Sequence, residues 1–443
     1  MTAARKRVDP ARLAAFEVLK GVRVDDGYAN LLLPAALARH GLTGRDAAFA
    51  TELASGTIRR QGTYDAVLAA CIDRPLRKVE AKVLDALRLG AHQVLGMRVP
   101  THAAIDTTVT LVRAKVNQGA AGFCNAVLRK VAAQDLDAWL AQVAPGDLAV
   151  AHSHPAWVVE ELRTALREAS GELPELLAAD NLPPRVTLVA RPGRASRDEL
   201  PGTPTPYSPH GVVLEGGDPS AVPAVAERRA GVQDEGSQLV ALAAADAPVE
   251  GRDEAWVDLC AGPGGKASLL AALAAQRGAR LVAVERHHHR AGLVRRAVGG
   301  DPGVLVVQSD GTRAPFADDS VDRILLDAPC TGLGALRRRP EARWRRTPED
   351  LAELVDLQRA LLEEAVRVLR PGGALLYATC SPLLAETAEV VARASGRGGV
   401  VLDDLAPVLP AVSGADGPLP GTLQLWPHRH GTDAMFLALL RKQ

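Results

Sequence analysis

Two cysteines stand where chemistry could be done. The stretch RILLDAPCTGLG (residues 323–334) runs an apolar, strand-like segment into Asp327, Ala328, Pro329 and Cys330. About fifty residues later GALLYATCSP ends a second apolar run in Thr379, Cys380 and Ser381. A thiolate is a potent nucleophile, but free cysteine is mostly thiol at neutral pH, so an attacking cysteine needs an activating environment. Two strands of one parallel sheet would deliver both thiols to the same crevice, because ligands of such sheets bind beyond the carboxyl ends of the strands.

A third motif names the partner molecule. The strand-like AWVDLC runs into AGPGGKASLL, where Gly262, Gly264 and Gly265 permit a tight turn and the following helix offers free N–H groups. The spacing is neither G-x-G-x-x-G nor a P-loop, since Ala267 follows Lys266. Glu285 ends the next apolar strand, where a carboxylate can accept both hydroxyls of a ribose. Asp310 ends the third, within reach of an adenine amino group. A ribose clamp with an adenine acceptor and no phosphate site suits S-adenosyl-L-methionine better than a dinucleotide.

The cysteines then narrow the acceptor. An amine or hydroxyl needs no enzymic nucleophile to take a methyl group; carbon 5 of a pyrimidine does. Thiolate addition at carbon 6 makes carbon 5 enamine-like, so that it attacks the sulfonium methyl, loses its proton and expels the thiolate. Asp327, in DAPC, is placed to assist at the ring's N3 and exocyclic amine.

These residues must be positioned by a chain of 443 residues, long enough for two or three domains. Residues 11 to 135 space apolar positions at three and four, predicting an all-α domain of about seven helices. Composition shifts at 181 to a Pro/Gly-rich stretch with two short β-like runs. From 233 strands and helices alternate, and the continuous apolar strands predict a parallel sheet covered on both faces. Five cysteines without a C-x-x-C argue for a reducing cytoplasm and against zinc. No apolar run reaches membrane-spanning length, and no signal-peptide core follows MTAARKRVDP.

Formal charge is zero, yet residues 1–150 hold 20 Lys+Arg against 14 Asp+Glu, and RHHHRAGLVRR and RRRPEARWRR add two later basic runs. Such patches suit phosphate backbones, and contacts to RNA phosphate are expected for part of 337–346. His287, His288 and His289 point in different directions on a helix and predict a solvated helix start rather than a metal site. Cys71 and Cys124 read as small core residues. Aromatic residues are only 3%, which argues against a broad base-stacking platform.

DLCAGPGGK, DAPCTGLG and LYATCSP, in this order, resemble the Sun-type RNA (cytosine-5) methyltransferases. RLAAFEVLKGV, LASGTIRR and GFCNAVLRKV resemble a NusB-like domain, an arrangement found in the bacterial family members that act on small-subunit (16S) ribosomal RNA. The resemblance implies a multidomain chain: an all-α NusB-like RNA-binding domain (1–145), a small α+β RNA-recognition-like segment (146–230) and a doubly wound α/β Rossmann-like methyltransferase domain (231–443). It implies S-adenosyl-L-methionine at Cys260, Ala261, Gly262, Pro263, Gly264, Gly265 and Lys266, with Glu285, Asp310 and Asp327 as acidic contacts. It makes Cys380 the nucleophile and Cys330 the residue that helps release product, the reverse of the Pro-Cys assignment in DNA enzymes. The expected partner is 16S ribosomal RNA, naked or in an early assembly state, met by a cytoplasmic monomer with neither metal nor membrane.

Two departures stand out. LLAETAE replaces the usual acidic-Asn-acidic run after TCSP, which predicts an altered helix there, and RDELPGTPTPY is short enough to predict a truncated one. Competing readings are the same chemistry on another RNA such as tRNA, and a non-catalytic assembly or antitermination factor. The intact pair Cys330 and Cys380 speaks against the latter.

Overall fold

The computed structural model describes residues 7–443. Their contacts gather into two units. One holds residues up to Arg163 with Glu168–Pro183 and Leu336–Arg345; the other holds Thr164–Arg167, Pro184–Ala335 and Arg346–Gln443.

The first unit is helical. Amphipathic helices Pro10–Val24, Gly44–Arg59, Ala81–Leu95 and Gln118–Val131 turn their apolar stripes into one core containing Phe16, Leu53, Leu87 and Leu128. Starts are marked by side-chain caps: Asp9 accepts from Arg12 N and Asn117 from Ala120 N. Cys71 and Cys124 are buried in this core.

The basic run 337–346 behaves differently from its charge. Arg343 is fully buried in the helical unit, donating to Asn181 Oδ1 at 2.7 Å and to the carbonyls of Ser153, Asp180 and Arg59 at 3.1–3.3 Å. Trp344 Nε1 donates to Ile58 O at 3.1 Å, and Arg345 to the carbonyls of Val22 and Asp26 at 2.8 and 2.9 Å. The expected phosphate contacts are therefore narrowed: Arg343 and Arg345 bind the protein's own backbone, while Arg339 remains exposed. Charge density marks a run as solvated or RNA-facing only when no buried carbonyls claim it. Burial lowers the Arg343 guanidinium to about 10, still charged at neutral pH. Arg343→Ala, which strands four buried acceptors, is expected to cost about 3 kcal/mol or more, read as a lowered midpoint in urea unfolding.

The second unit carries twelve strands. A small antiparallel sheet has β1 (Thr187–Ala190), β2 (Thr203–Pro204), β3 (Gly211–Val213) and β4 (Ala230–Val232) in the order β2-β3-β1-β4. Where a shortened helix was expected there is a single 3-10 turn, Arg197–Glu199, with a Ser196/Glu199 capping box. The large sheet comprises β5 (Ala255–Asp258), β6 (Arg280–Glu285), β7 (Val304–Gln308), β8 (Val321–Asp327), β9 (Leu369–Thr379), β10 (Val400–Asp403) and β12 (Phe436–Lys442), ordered β10-β12-β9-β8-β5-β6-β7; β11 (Leu423–Gln424) pairs with β12.

Strands β5 to β9 are parallel, as their continuous apolar runs predict. The sheet is nonetheless mixed, because β12 lies antiparallel between β9 and β10. FLALLRK is as continuously apolar as its neighbours, and burial on both faces carries no signal of strand direction. Helices Glu235–Asp246, Gly265–Gln276, His288–Val298 and Pro348–Val368 cover the faces. Among the described residues no helix is long and apolar enough to cross a membrane.

Candidate active site

The topology answers why two strands each deliver a cysteine. β8 and β9 are adjacent and parallel, with Asp327 opposite Ala378, and Ala328 N donates to Ala378 O at 2.8 Å. Cys330 lies three residues past Asp327 and Cys380 directly after Thr379, so both leave neighbouring strand ends on the same side. Their sulfurs are 3.4 Å apart. Gly334 closes the Cys330 loop back onto β9: its N–H donates to Cys380 O at 2.9 Å, and it accepts from Ala434 N at 2.8 Å. A Cβ there would stand 2.2 Å from Ala434 O, so only glycine permits this approach.

The two thiols are not equivalent. The hydrogen bond to Cys380, then burial, hold the Cys330 thiol well above its ordinary range, so Cys330 keeps its proton. Cys380 instead lies within electrostatic range of Lys266. Burial works against the Lys266 ammonium, but the charge and hydrogen bond of Asp327 outweigh it and raise its pKa. The Lys266 Nζ–Asp327 Oδ2 distance is 2.8 Å. A fixed cation beside a thiol favours thiolate.

The glycine loop leaves β5 and enters Gly265–Gln276 through Gly264, which has φ +111° and whose Cβ would sit 2.6 Å from Ala297 Cβ. A Cβ on Gly262 would meet Glu285 Oε2 at 2.1 Å. A side chain at Gly262 would displace the Glu285 carboxyl, and one at Gly264 would meet the helix His288–Val298, so both positions leave bare backbone. Glu285 is buried and accepts from His287 N at 2.8 Å. Arg290 donates to Gly262 O at 2.7 Å and stands 3.6 Å from Glu285, bracing the loop. Asp310 caps a 3-10 turn; the N–H and hydroxyl of Thr312 hold its carboxyl below the usual range, so it stays an acceptor. Bare loop backbone, free helix N–H groups and the strand-end carboxyls of Glu285 and Asp310 fit a nucleoside bearing a diol and an amine.

The residues singled out from sequence thus come together at the ends of five parallel strands. Cys260 is among them; burial first, then surrounding carboxylates, raise its thiol well above the ordinary range. The three histidines are exposed, with His287 as the helix cap. Among the described residues no cluster of three or more His, Cys, Asp or Glu could hold a metal.

Asp258 was not anticipated. It ends β5 and is buried; desolvation, with the Asp327 charge adding and Lys266 opposing, pushes it up to about 8. An acid whose folded pKa exceeds its unfolded value holds a proton in the folded state that it loses on unfolding. Its contribution is fully favourable below the unfolded value near 4 and declines as pH rises towards 8. Relative to Asp258→Asn, the wild type is expected to lose stability between pH 5 and pH 8, by on the order of 1 kcal/mol per pH unit, measured by denaturant unfolding at each pH. Its sequence signal was the acid directly ahead of the glycine loop.

Comparison with known proteins accords with this geometry. Residues 246–441 match the family described as 16S rRNA methyltransferase RsmB/F, and residues 9–133 match the NusB family. A Mycobacterium tuberculosis protein that carries a methyltransferase name is 50% identical over 99% of this chain and 98% of its own length. The ribosomal RNA small subunit methyltransferase B of Pseudomonas syringae is 33% identical over 87% of each chain. The crystal structure of PH0851 shares the fold, with TM-score 0.81 at 23% identity over 99% of this chain and 100% of that one. The chain belongs to the RsmB/F family of 16S rRNA methyltransferases, with a NusB-family helical portion ahead of its catalytic unit.

Proposed function

We propose that the chain methylates carbon 5 of a cytosine in small-subunit (16S) ribosomal RNA, in the cytoplasm, through a covalent bond between Cys380 and carbon 6. The observation that carries this reading is the pair of sulfurs 3.4 Å apart beside the Lys266–Asp327 ion pair. A transferase acting on an amine or hydroxyl has no use for two thiols at the ends of adjacent strands.

S-adenosyl-L-methionine, when bound, supplies the electrophilic methyl group. The backbone of Cys260–Lys266 carries it, with Glu285 at the ribose hydroxyls and Asp310 at the adenine amine. Lys266 stabilises the Cys380 thiolate, which adds to carbon 6 of an unstacked cytosine. Lys266 offsets the negative charge that addition builds on the ring, while Asp327 holds Lys266 in place and accepts from the exocyclic amine. Once carbon 5 has taken the methyl, its proton passes to solvent, the C–H electrons re-form the carbon 5–carbon 6 double bond, and the carbon–sulfur bond breaks with Cys380 leaving as thiolate. Cys330, kept protonated in contact with Cys380, is placed to donate a hydrogen bond to the departing thiolate.

The test is methyl transfer from labelled S-adenosyl-L-methionine to free 16S ribosomal RNA, to 30S subunits and to tRNA, with the product nucleoside identified. The expected result is 5-methylcytidine in free 16S RNA. Product in tRNA alone would move the substrate, and no transfer to any RNA would favour a non-catalytic assembly factor.

A further inference from the structure

One buried carboxylate lies between the two cysteine loops. Glu386 ends the 3-10 turn Leu384–Glu386, in the stretch where an acidic-Asn-acidic run was missed, and none of its surface is exposed. Its Oε1 accepts from Thr331 N at 2.7 Å and from Gln358 Nε2 at 3.0 Å, and its Oε2 from Thr331 Oγ1 at 2.6 Å. Thr331 Oγ1 also lies 3.1 Å from Ser381 Oγ, and Gln358 Nε2 donates to Pro329 O at 2.9 Å.

These contacts bracket the thiols. Pro329 precedes Cys330, Thr331 follows it, and Ser381 follows Cys380. Tyr377, on the strand that carries Cys380, donates its hydroxyl to Glu386 O at 2.8 Å. The Cys330 loop has no regular structure and passes through Gly332 at φ +74°, so side-chain contacts must set its place. A carboxylate suits the task because it accepts from several donors at once, and charge-assisted bonds are short and directional.

We propose that Glu386 is a positioning residue: through Thr331 and Gln358 it holds the Cys330 loop at the height that keeps the two sulfurs in contact. Its consequence for turnover rests on the function proposed above, whereas the geometric claim does not. Glu386 positions the loop through hydrogen bonds to Thr331 and Gln358, and its charge adds to the raised pKa of the Cys330 thiol.

The test uses full-length Glu386→Ala and Glu386→Gln, the second keeping volume and one acceptor oxygen should the first fail to fold. Without RNA, diamide oxidation should cross-link Cys330 to Cys380 in the wild type, scored by peptide mapping. Glu386→Ala is expected to slow this cross-link roughly tenfold, with Glu386→Gln between. Release of methylated RNA should slow on the order of tenfold, with the adduct building up on denaturing gels, while single-turnover methyl transfer and S-adenosyl-L-methionine affinity stay within about twofold. Thr331→Val should add little to Glu386→Ala, because both act through one contact. Wild-type cross-linking in the variants would overturn the proposal, as would cofactor affinity and melting temperature falling in step with activity. Slowed cross-linking in an enzyme whose wild type methylates no RNA would leave Glu386 in place and sink the proposed function instead.

Discussion

Cys380→Ala is expected to lose methyl transfer by roughly 10⁴-fold or more and to form no RNA adduct, while Cys330→Ala binds RNA, methylates it and stays attached. The asymmetry comes from the surroundings of two sulfurs only 3.4 Å apart. Cys380 lies in range of the Lys266 ammonium, which favours the anion that attacks carbon 6. Cys330 is held as a neutral thiol by that same contact and by burial. A neutral thiol is a poor nucleophile but can donate a hydrogen bond to a departing thiolate. Removing it should leave addition intact and slow the final elimination, so a methylated adduct builds up. Denaturing gels with labelled RNA read both outcomes. The reverse pattern, with Cys330→Ala dead and free of adduct, would assign the roles as in the Pro-Cys enzymes.

The second large effect is expected at Asp327. Asp327→Asn removes the anion that holds Lys266 Nζ at 2.8 Å and the carboxylate proposed to accept from the exocyclic amine. Turnover should drop about 10²- to 10³-fold, with a smaller change in the KM for S-adenosyl-L-methionine, because the loss falls on the transition state. A shift in pH dependence should accompany it. Asp327 raises the pKa of both Lys266 and Asp258, so without it both come down. Ionisation of Asp258, about 8 in the wild type, then moves to lower pH. A pH–stability profile compared between Asp327→Asn and wild type measures this shift directly. An unchanged profile with unchanged turnover would remove Asp327 from the mechanism.

Much of this site was legible before any coordinates. Gly262 and Gly264 announced a backbone-lined loop, and Glu285, Asp310 and Asp327 announced acids at strand ends, because parallel strands place their C-terminal residues at one edge. Local pattern could not supply register. That the sulfurs touch depends on Asp327 pairing with Ala378 and on Gly334 folding back to Cys380 O, which are long-range facts. The direction of β12 was hidden for a related reason, since a strand buried on both faces reads the same in either sense. Arg343 shows the limit of charge as a guide. Within RRRPEARWRR it is indistinguishable from a phosphate-binding arginine, and only the carbonyls of Arg59, Ser153 and Asp180 reveal what it binds. Glu386 and Asp258 were passed over because a carboxylate's role is set by who donates to it and by how deeply it is buried.

The central claim is that the sulfur of Cys380 bonds to the base. The most direct measurement traps the adduct of Cys330→Ala on labelled 16S ribosomal RNA, digests protein and RNA, and sequences the nucleotide-bearing peptide by mass spectrometry. The account predicts a cytidine derivative methylated at carbon 5 and linked to Cys380 in the peptide containing LLYATCSP. A nucleotide on any other residue, or a stable loss of activity with no bound nucleotide, would contradict it.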